Sequence, residues 1–294
     1  MAESKLRSLF NDPEHYVKAF QVFASLSAKY KVLANWGDNN FSNEVVKQLP
    51  FKLKENEELR VLGVGSGSGE VESKMLAMLL QKYPRITNRV VEPAVDQIVQ
   101  YKALVQSKGR ELQGVNFDWR QQTLDQHREA ATDGAKFHFI NAVHSMYYAE
   151  DVDSSLMYLY DLLEPGGKLL IITISDDSGT WRLWNHFTGY QDHLVHFISS
   201  ADVRSSFDRR NIPYTQSHQK SRVEITKCLD ETSVEGNLLV DFLLHVVKFK
   251  ETASDAQYKE VMEYMLSGDC SEKDGDEVLF INDWDAVIIE KRVP

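Results

Sequence analysis

Residues 58–70, ELRVLGVGSGSGE, constrain this chain more than any other stretch. Leu59, Val61, Leu62 and Val64 form a short apolar run rich in β-branched residues, the signature of a buried strand. Gly65, Gly67 and Gly69 follow at alternate positions, and Glu70 opens an amphipathic segment, VESKMLAMLLQKY. A buried strand that breaks into a glycine-rich turn and then a helix is the first unit of a nucleotide-binding α/β fold. Glycine suits such a turn because the backbone must bend tightly and let a ligand approach without a Cβ in the way.

A glycine-rich loop by itself is also an ordinary strand-to-helix turn. The next strand adds information. Arg89-Val90-Val91-Glu92-Pro93 is apolar and ends on an acid. A carboxylate at the tip of a second strand is placed to accept hydrogen bonds from the two hydroxyls of a ribose. The glycines fall at G-x-G-x-G, not G-x-G-x-x-G, and the Lys-Ser/Thr pair of a phosphate-cradling loop is missing. The pattern favours a nucleoside ligand without a pyrophosphate, of which S-adenosylmethionine is the common one.

Strand and helix alternate from 58 to 175. Helices are expected at Val95–Ser107 and Ser154–Leu163, and strands at Val115–Trp119, Lys136–Ala142 and Lys168–Ile174. Such alternation predicts an α/β, Rossmann-like fold: a mostly parallel seven-stranded sheet with helices on both faces and ligands at the carboxyl ends of the strands. Before this core, Tyr16, Phe20, Phe23 and Leu26 recur at helical spacing, so Pro13–Tyr30 reads as a helix, capped by Asp12. A second helix is expected at Asn43–Leu49. Residues 1–50 then form a helical lid. After the core, Trp181, Trp184, Phe187 and Tyr190 cluster around a helix expected at 180–188, and another begins near Ser199 and runs to Arg209. Arg222–Leu229 and Asp285–Lys291 read as the last two strands, antiparallel neighbours at one edge, with a helical insert at Leu238–Leu266 between them. The chain is expected to be a single domain, with 176–220 and 230–280 as substrate-side inserts.

The net charge of −11 and the lack of a basic stripe argue against nucleic acid as a partner. The two cysteines, Cys228 and Cys270, are too few for a disulfide framework and fit a reducing compartment. MAESKLRSLF lacks the apolar stretch of a signal peptide, and no run of apolar residues is long enough to span a membrane. A cytoplasmic monomer acting on a small molecule, without a metal, is the expectation.

The chain resembles the class I S-adenosylmethionine-dependent methyltransferases, and within them the histamine N-methyltransferase family. The resemblance rests on Tyr16-Val17 with Phe20, GVGSGSGE, the run from Val90 to Val105 (VVEP with QI, YK and LV), Met146-Tyr147-Tyr148, LLIITIS followed by Ser178 to Trp184, and VLF with Asn282. These motifs follow one order over almost the whole chain. The resemblance implies that Gly65, Gly67, Gly69, Glu92 and Gln97 hold the cofactor. Thr123 and Leu124 would lie near its adenine, and Val143 and His144 near its methionine end. The substrate walls would be Tyr16, Phe20, Tyr147, Tyr148, Trp181 and Trp184, with Asn282 binding the substrate. Aromatic faces attract cations, and both a sulfonium and an ammonium are cations. Aromatic stripes on helices are also ordinary core.

The chain departs from the family at two places. Lys29 stands where the family has a carboxylate for the substrate ammonium, and His144 stands where it has a glutamine. His144 orients the substrate ring or relays a proton in one reading, and merely caps its loop in another. Three readings of Lys29 compete: histamine held by another acid, Asp283 or Asp285; a different acceptor bearing a carboxylate; or a lysine turned to solvent. A cofactor-binding sensor and a macromolecular methyltransferase are the alternatives from other classes.

Overall fold

In the computed structural model, residues 6–130, 134–188 and 197–293 are described; Tyr190 lies outside them. They form two compact units, Leu33–Thr173 with Ser200–Ser217 and Asp285–Pro294, and Met1–Val32 with Ile174–Ser199 and His218–Trp284.

The helix expected at 13–30 is broken. Helix α1 (Pro13–Leu26) starts with Asp12 accepting the His15 N–H. It stops at Ser27, whose ψ of 130° is extended and whose backbone bridges to Val223. Ser27 Oγ then accepts the N–H of Lys29, the first residue of α2 (Lys29–Trp36). A side-chain hydroxyl that captures the next turn's amide competes with helix continuation. Of the expected 43–49 helix, residues 43–46 belong to a longer, wider helical stretch at Gly37–Val46, with Lys47 N–H reaching the Ser42 carbonyl five residues back; residues 47–49 lie beyond its end.

The central alternation follows the pattern, with one helix more than expected, α5: β1 (Leu59–Val64), α3 (Glu70–Leu80), β2 (Ile86–Val91), α4 (Val95–Ser107), β3 (Val115–Arg120), α5 (Leu124–Ala130), β4 (Phe137–Val143), α6 (Val152–Asp161) and β5 (Leu163–Ile174). Strand β5 begins before the expected Lys168. Its Pro165-Gly166-Gly167 is accommodated by a register shift against β4 between Phe137 and Phe139. After α7 (Gly179–His186) and α8 (Ser200–Asp208) comes β6 (Tyr214–Gln219).

The seven-stranded sheet has the order β3-β2-β1-β4-β5-β10-β6, where β10 is Trp284–Glu290. The β1–β2, β1–β4, β2–β3 and β4–β5 pairs are parallel. Interior strands β4 and β10 are buried almost throughout, as strands covered on both faces must be. The edges fall on β3, VNFDWR, and β6, YTQSHQ, whose polar residues face water.

Two expectations at the C-terminal end are corrected. Residues 222–229 do not join this sheet. Arg222–Glu224 (β7) pairs antiparallel with β9 (Glu277–Ile281), β9 pairs with β8 (Ser271–Asp274), and Thr226–Leu229 is a short helical turn. The neighbour of β10 at the edge is β6 instead, whose polar sequence carries no strand signal. The helical insert is three helices: α9 (Val234–Leu244), α10 (Phe249–Thr252) and α11 (Asp255–Met265). The break after α9 comes from His245 and Lys248, both left-handed, at φ 55° and 48°.

Candidate functional site

The carboxyl ends of β1, β2 and β4 build a cradle in the larger unit. Gly65, Gly67 and Gly69 all have positive φ, at 61°, 53° and 78°, which L side chains adopt only with strain. Their surroundings differ. A Cβ on Gly65 would sit 2.4 Å from Ser145 Cβ, and one on Gly69 would sit 2.0 Å from the Tyr101 ring. A Cβ on Gly67 would meet only Gln97 Oε1, at 3.6 Å. Packing therefore demands two of the glycines, while the third lies on the open side of the loop.

Glu92 follows β2 and is 6% exposed. One carboxylate oxygen accepts the Gly67 N–H at 2.9 Å and the other the Ala94 N–H at 3.0 Å. Thr123 and Gln126 form a reciprocal cap at the start of α5, each backbone N–H donating to the other's side chain; Leu124 behind them is buried. Val143 ends β4. His144 follows with φ 50° and donates its N–H to the Ile172 carbonyl at 2.7 Å. That turn lets Ser145 Oγ donate to the Val64 carbonyl at 2.8 Å, tying the β4 loop to the glycine loop. Tyr147 and Tyr148 lie next, with ring centroids 4.5 Å apart, and Tyr148 is 51% exposed.

Beneath the loop lies a group that pattern reading missed. Glu72 is buried on α3, and a Cβ on Gly63 would lie 2.0 Å from its Oε1. Asn141 Nδ2 approaches the same oxygen at 3.5 Å. Burial pushes its carboxyl above the usual range. The one available signal was an acid among the apolar residues of the α3 face.

The smaller unit gathers aromatic rings. Tyr16 stacks on Phe10 at 5.4 Å and on Phe20 at 6.2 Å. Phe242 of α9 lies 6.1 Å from Tyr16 and 5.8 Å from Phe20. Trp184 of α7 donates its indole N–H to the Leu243 carbonyl at 2.7 Å and meets Phe197 at 4.2 Å. Tyr16, Phe20 and Trp184 thus belong to one cluster of rings with Phe10, Phe197 and Phe242, joined through the His245 ring; the motifs pointed to none of these last three phenylalanines. Trp181 sits three residues before Trp184, half-buried, with its N–H on the Ser178 cap. Asn282 is buried, and its Oδ1 accepts from Thr180 Oγ1 at 2.9 Å.

Lys29 is half-buried and makes no ion pair among the described residues. Burial alone pushes its pKa down to about 8. The two acids considered as substitutes are already engaged. Asp283 pairs with Arg222 at 2.5 Å and accepts the Ser221 N–H. In the larger unit, Asp285 accepts from Ser200 Oγ and lies 3.9 Å from Arg204.

Comparison with known proteins bears on both units. Residues 38–216 match the methyltransferase domain family. Histamine N-methyltransferase of Danio rerio is 31% identical across 97% of this chain and 98% of its own length. The mouse enzyme of that name is 30% identical across 99% of each. The chain belongs to the histamine N-methyltransferase-like class I methyltransferases. Among solved structures, the YcgJ protein of Bacillus subtilis gives a TM-score of 0.53 over 90% of this chain and all of the other, at 14% identity. A putative methyltransferase of Bacillus halodurans gives 0.51 over 80% and 94%, also at 14%. Both speak for the fold.

The cofactor of this methyltransferase family is S-adenosylmethionine, and the cradle fits such a group. Each Glu92 oxygen uses one lone pair on a backbone amide and keeps another for a hydroxyl. The open face of Gly67 leaves room where a side chain would intrude. Among the described residues no cluster of metal-ligating side chains occurs, and no helix is long and apolar enough to cross a membrane.

Proposed function

We propose that this methyltransferase N-methylates a small amine or imidazole, histamine or a close analogue. The supporting observation is the aromatic cluster that contains Tyr16, Phe20 and Trp184, found in a chain that is similar to histamine N-methyltransferases over nearly its full length. Electron-rich ring faces suit a protonated amine, at roughly 0.5–2 kcal/mol per contact. Tyr147, Tyr148 and Trp181 are further walls in this reading, and Asn282 supplies an amide to the acceptor.

The cofactor provides an electrophilic methyl group on a sulfonium. In our reading Glu92 accepts from the ribose hydroxyls, and the Gly65–Gly69 loop with Gln97 lines the backbone approach. Thr123 and Leu124 flank the adenine, and Val143 the methionine end. When bound, the cofactor would supply this methyl group to a neutral acceptor nitrogen, which would then lose its proton. An imidazole ring nitrogen is already neutral near pH 7, so no strong base is needed. His144 orients the acceptor ring or relays that proton. Alignment and exclusion of water account for most of the acceleration.

A second reading, an acceptor that bears a carboxylate, is favoured by Lys29. A half-buried cation without an ion pair among the described residues suits an anion. Two charges about 4 Å apart interact by roughly 4 kcal/mol at an effective dielectric near 20. The experiment is a methyl-transfer screen of histamine, histidine and carnosine with wild type and Lys29→Glu at fixed salt. If Lys29 reads a carboxylate, the substitution raises kcat/KM for histamine and lowers it for the other two by tens of fold. Equal responses put Lys29 outside the pocket and leave histamine as the leading acceptor. Absence of turnover with every amine refutes the proposal.

A further inference from the structure

His245 combines three features that the reaction as described does not use. First, its ring stands among aromatic rings. Phe10, Trp184 and Phe242 have centroids 5.2, 5.6 and 5.5 Å away, and Phe197 lies at 6.3 Å. Second, its backbone is left-handed, φ 55° and ψ 36°, at the carboxyl cap of α9. Glycine takes this position without strain, yet the chain carries an imidazole there. Third, neither ring nitrogen has a hydrogen-bond partner among the described residues, and Nδ1 is buried.

The backbone around the ring is firmly held. The His245 carbonyl accepts the Leu9 N–H at 2.9 Å. Asp241 accepts the Lys248 and Phe249 amides and pairs with His15 at 2.6 Å. The position of the ring is thus determined, while its polar capacity is left over. Burial pushes the imidazole pKa down to about 4, so the ring is neutral near pH 7 and one nitrogen is a hydrogen-bond acceptor. Polar atoms in an apolar setting without a partner are unfavourable, and an N–H donor would relieve this one.

We infer that His245 is a specificity-determining residue of the acceptor site, an imidazole nitrogen accepting a hydrogen bond from an N–H of the amine bound at the aromatic cluster. The inference rests on the small-amine reading above. It gives the site a neutral acceptor for an ammonium, where Asp283 and Asp285 are tied to arginines and Lys29 is itself a cation. Such a site selects substrates by N–H donors, and it discriminates against analogues whose nitrogen is fully methylated.

The test compares wild type, His245→Phe and His245→Asn, with histamine as the probe. Phenylalanine keeps a ring in the cluster and removes the acceptor. Asparagine keeps an acceptor and tolerates left-handed backbone. His245→Phe is expected to raise the KM for histamine by about tenfold or more, the worth of one lost hydrogen bond to a charged group, with kcat within about twofold. His245→Asn should stay within about threefold of wild type. S-adenosylhomocysteine affinity, read by calorimetry, should be unchanged in both. A His245→Phe enzyme with wild-type KM overturns the inference alone. Wild type that neither binds nor methylates histamine, histidine or carnosine overturns the small-amine reading and this inference with it.

Discussion

Substituting the three loop glycines one at a time separates ligand demand from packing demand. Each has positive φ, so alanine at any of them costs about 1–2 kcal/mol of backbone strain. At Gly65 and Gly69 the new Cβ also collides, at 2.4 Å with Ser145 and at 2.0 Å with the Tyr101 ring. Overpacking of that kind adds about 1–3 kcal/mol, because Tyr101 is fully buried and cannot swing away. The total for either, about 2–5 kcal/mol, lowers the apo melting temperature by about 4–20 °C at roughly 2–4 °C per kcal/mol. Gly67→Ala meets only the end of Gln97 at 3.6 Å, so its apo loss stays near the strain alone, about 2–8 °C. Its methyl faces the open side of the cradle, and S-adenosylhomocysteine affinity should fall about tenfold or more. Thermal unfolding without ligand and calorimetry with S-adenosylhomocysteine read the two effects. The reasoning is refuted if Gly67→Ala melts as low as Gly69→Ala, or if it binds S-adenosylhomocysteine as wild type does.

Glu92→Gln keeps the side-chain shape and loses the charge that supports the Gly67 and Ala94 amides. Charge-assisted hydrogen bonds are worth about 1.5–3 kcal/mol, so S-adenosylhomocysteine should bind about ten- to a hundredfold more weakly; a folded variant of unchanged affinity would rule Glu92 out. His138 is 5% exposed and its Nδ1 accepts the Arg60 N–H at 2.8 Å. Burial and the nearby Arg60 charge push its pKa from 6.5 down to about 4. The folded state therefore binds fewer protons than the unfolded chain between those values. Its contribution is full above pH 6.5 and is lost as pH falls towards 4, about 3 kcal/mol in all. Denaturant unfolding from pH 7 to 4 should show that fall, and His138→Asn should flatten it; an equally steep fall in the variant would assign it to other groups.

The local pattern by itself determined the α/β alternation, the glycine loop and the acid at the tip of β2. Those features are written in contiguous residues. A buried parallel strand must be an apolar run such as LLIITI, and a tight turn at positive φ must use glycine. Tertiary structure decided what depends on distant partners. Residues 222–224 pair with β9 rather than with β10, and β6 closes the sheet edge with a polar sequence that water tolerates only at an edge. Which glycine opens toward a ligand depended on Ser145 and Tyr101, which lie far along the chain. The aromatic cluster joins rings from residues 10 to 245, and His245 within it occupies a left-handed cap that no glycine or asparagine announced. Ring packing and hydrogen-bond satisfaction are properties of neighbours in space, so no window of sequence contains them.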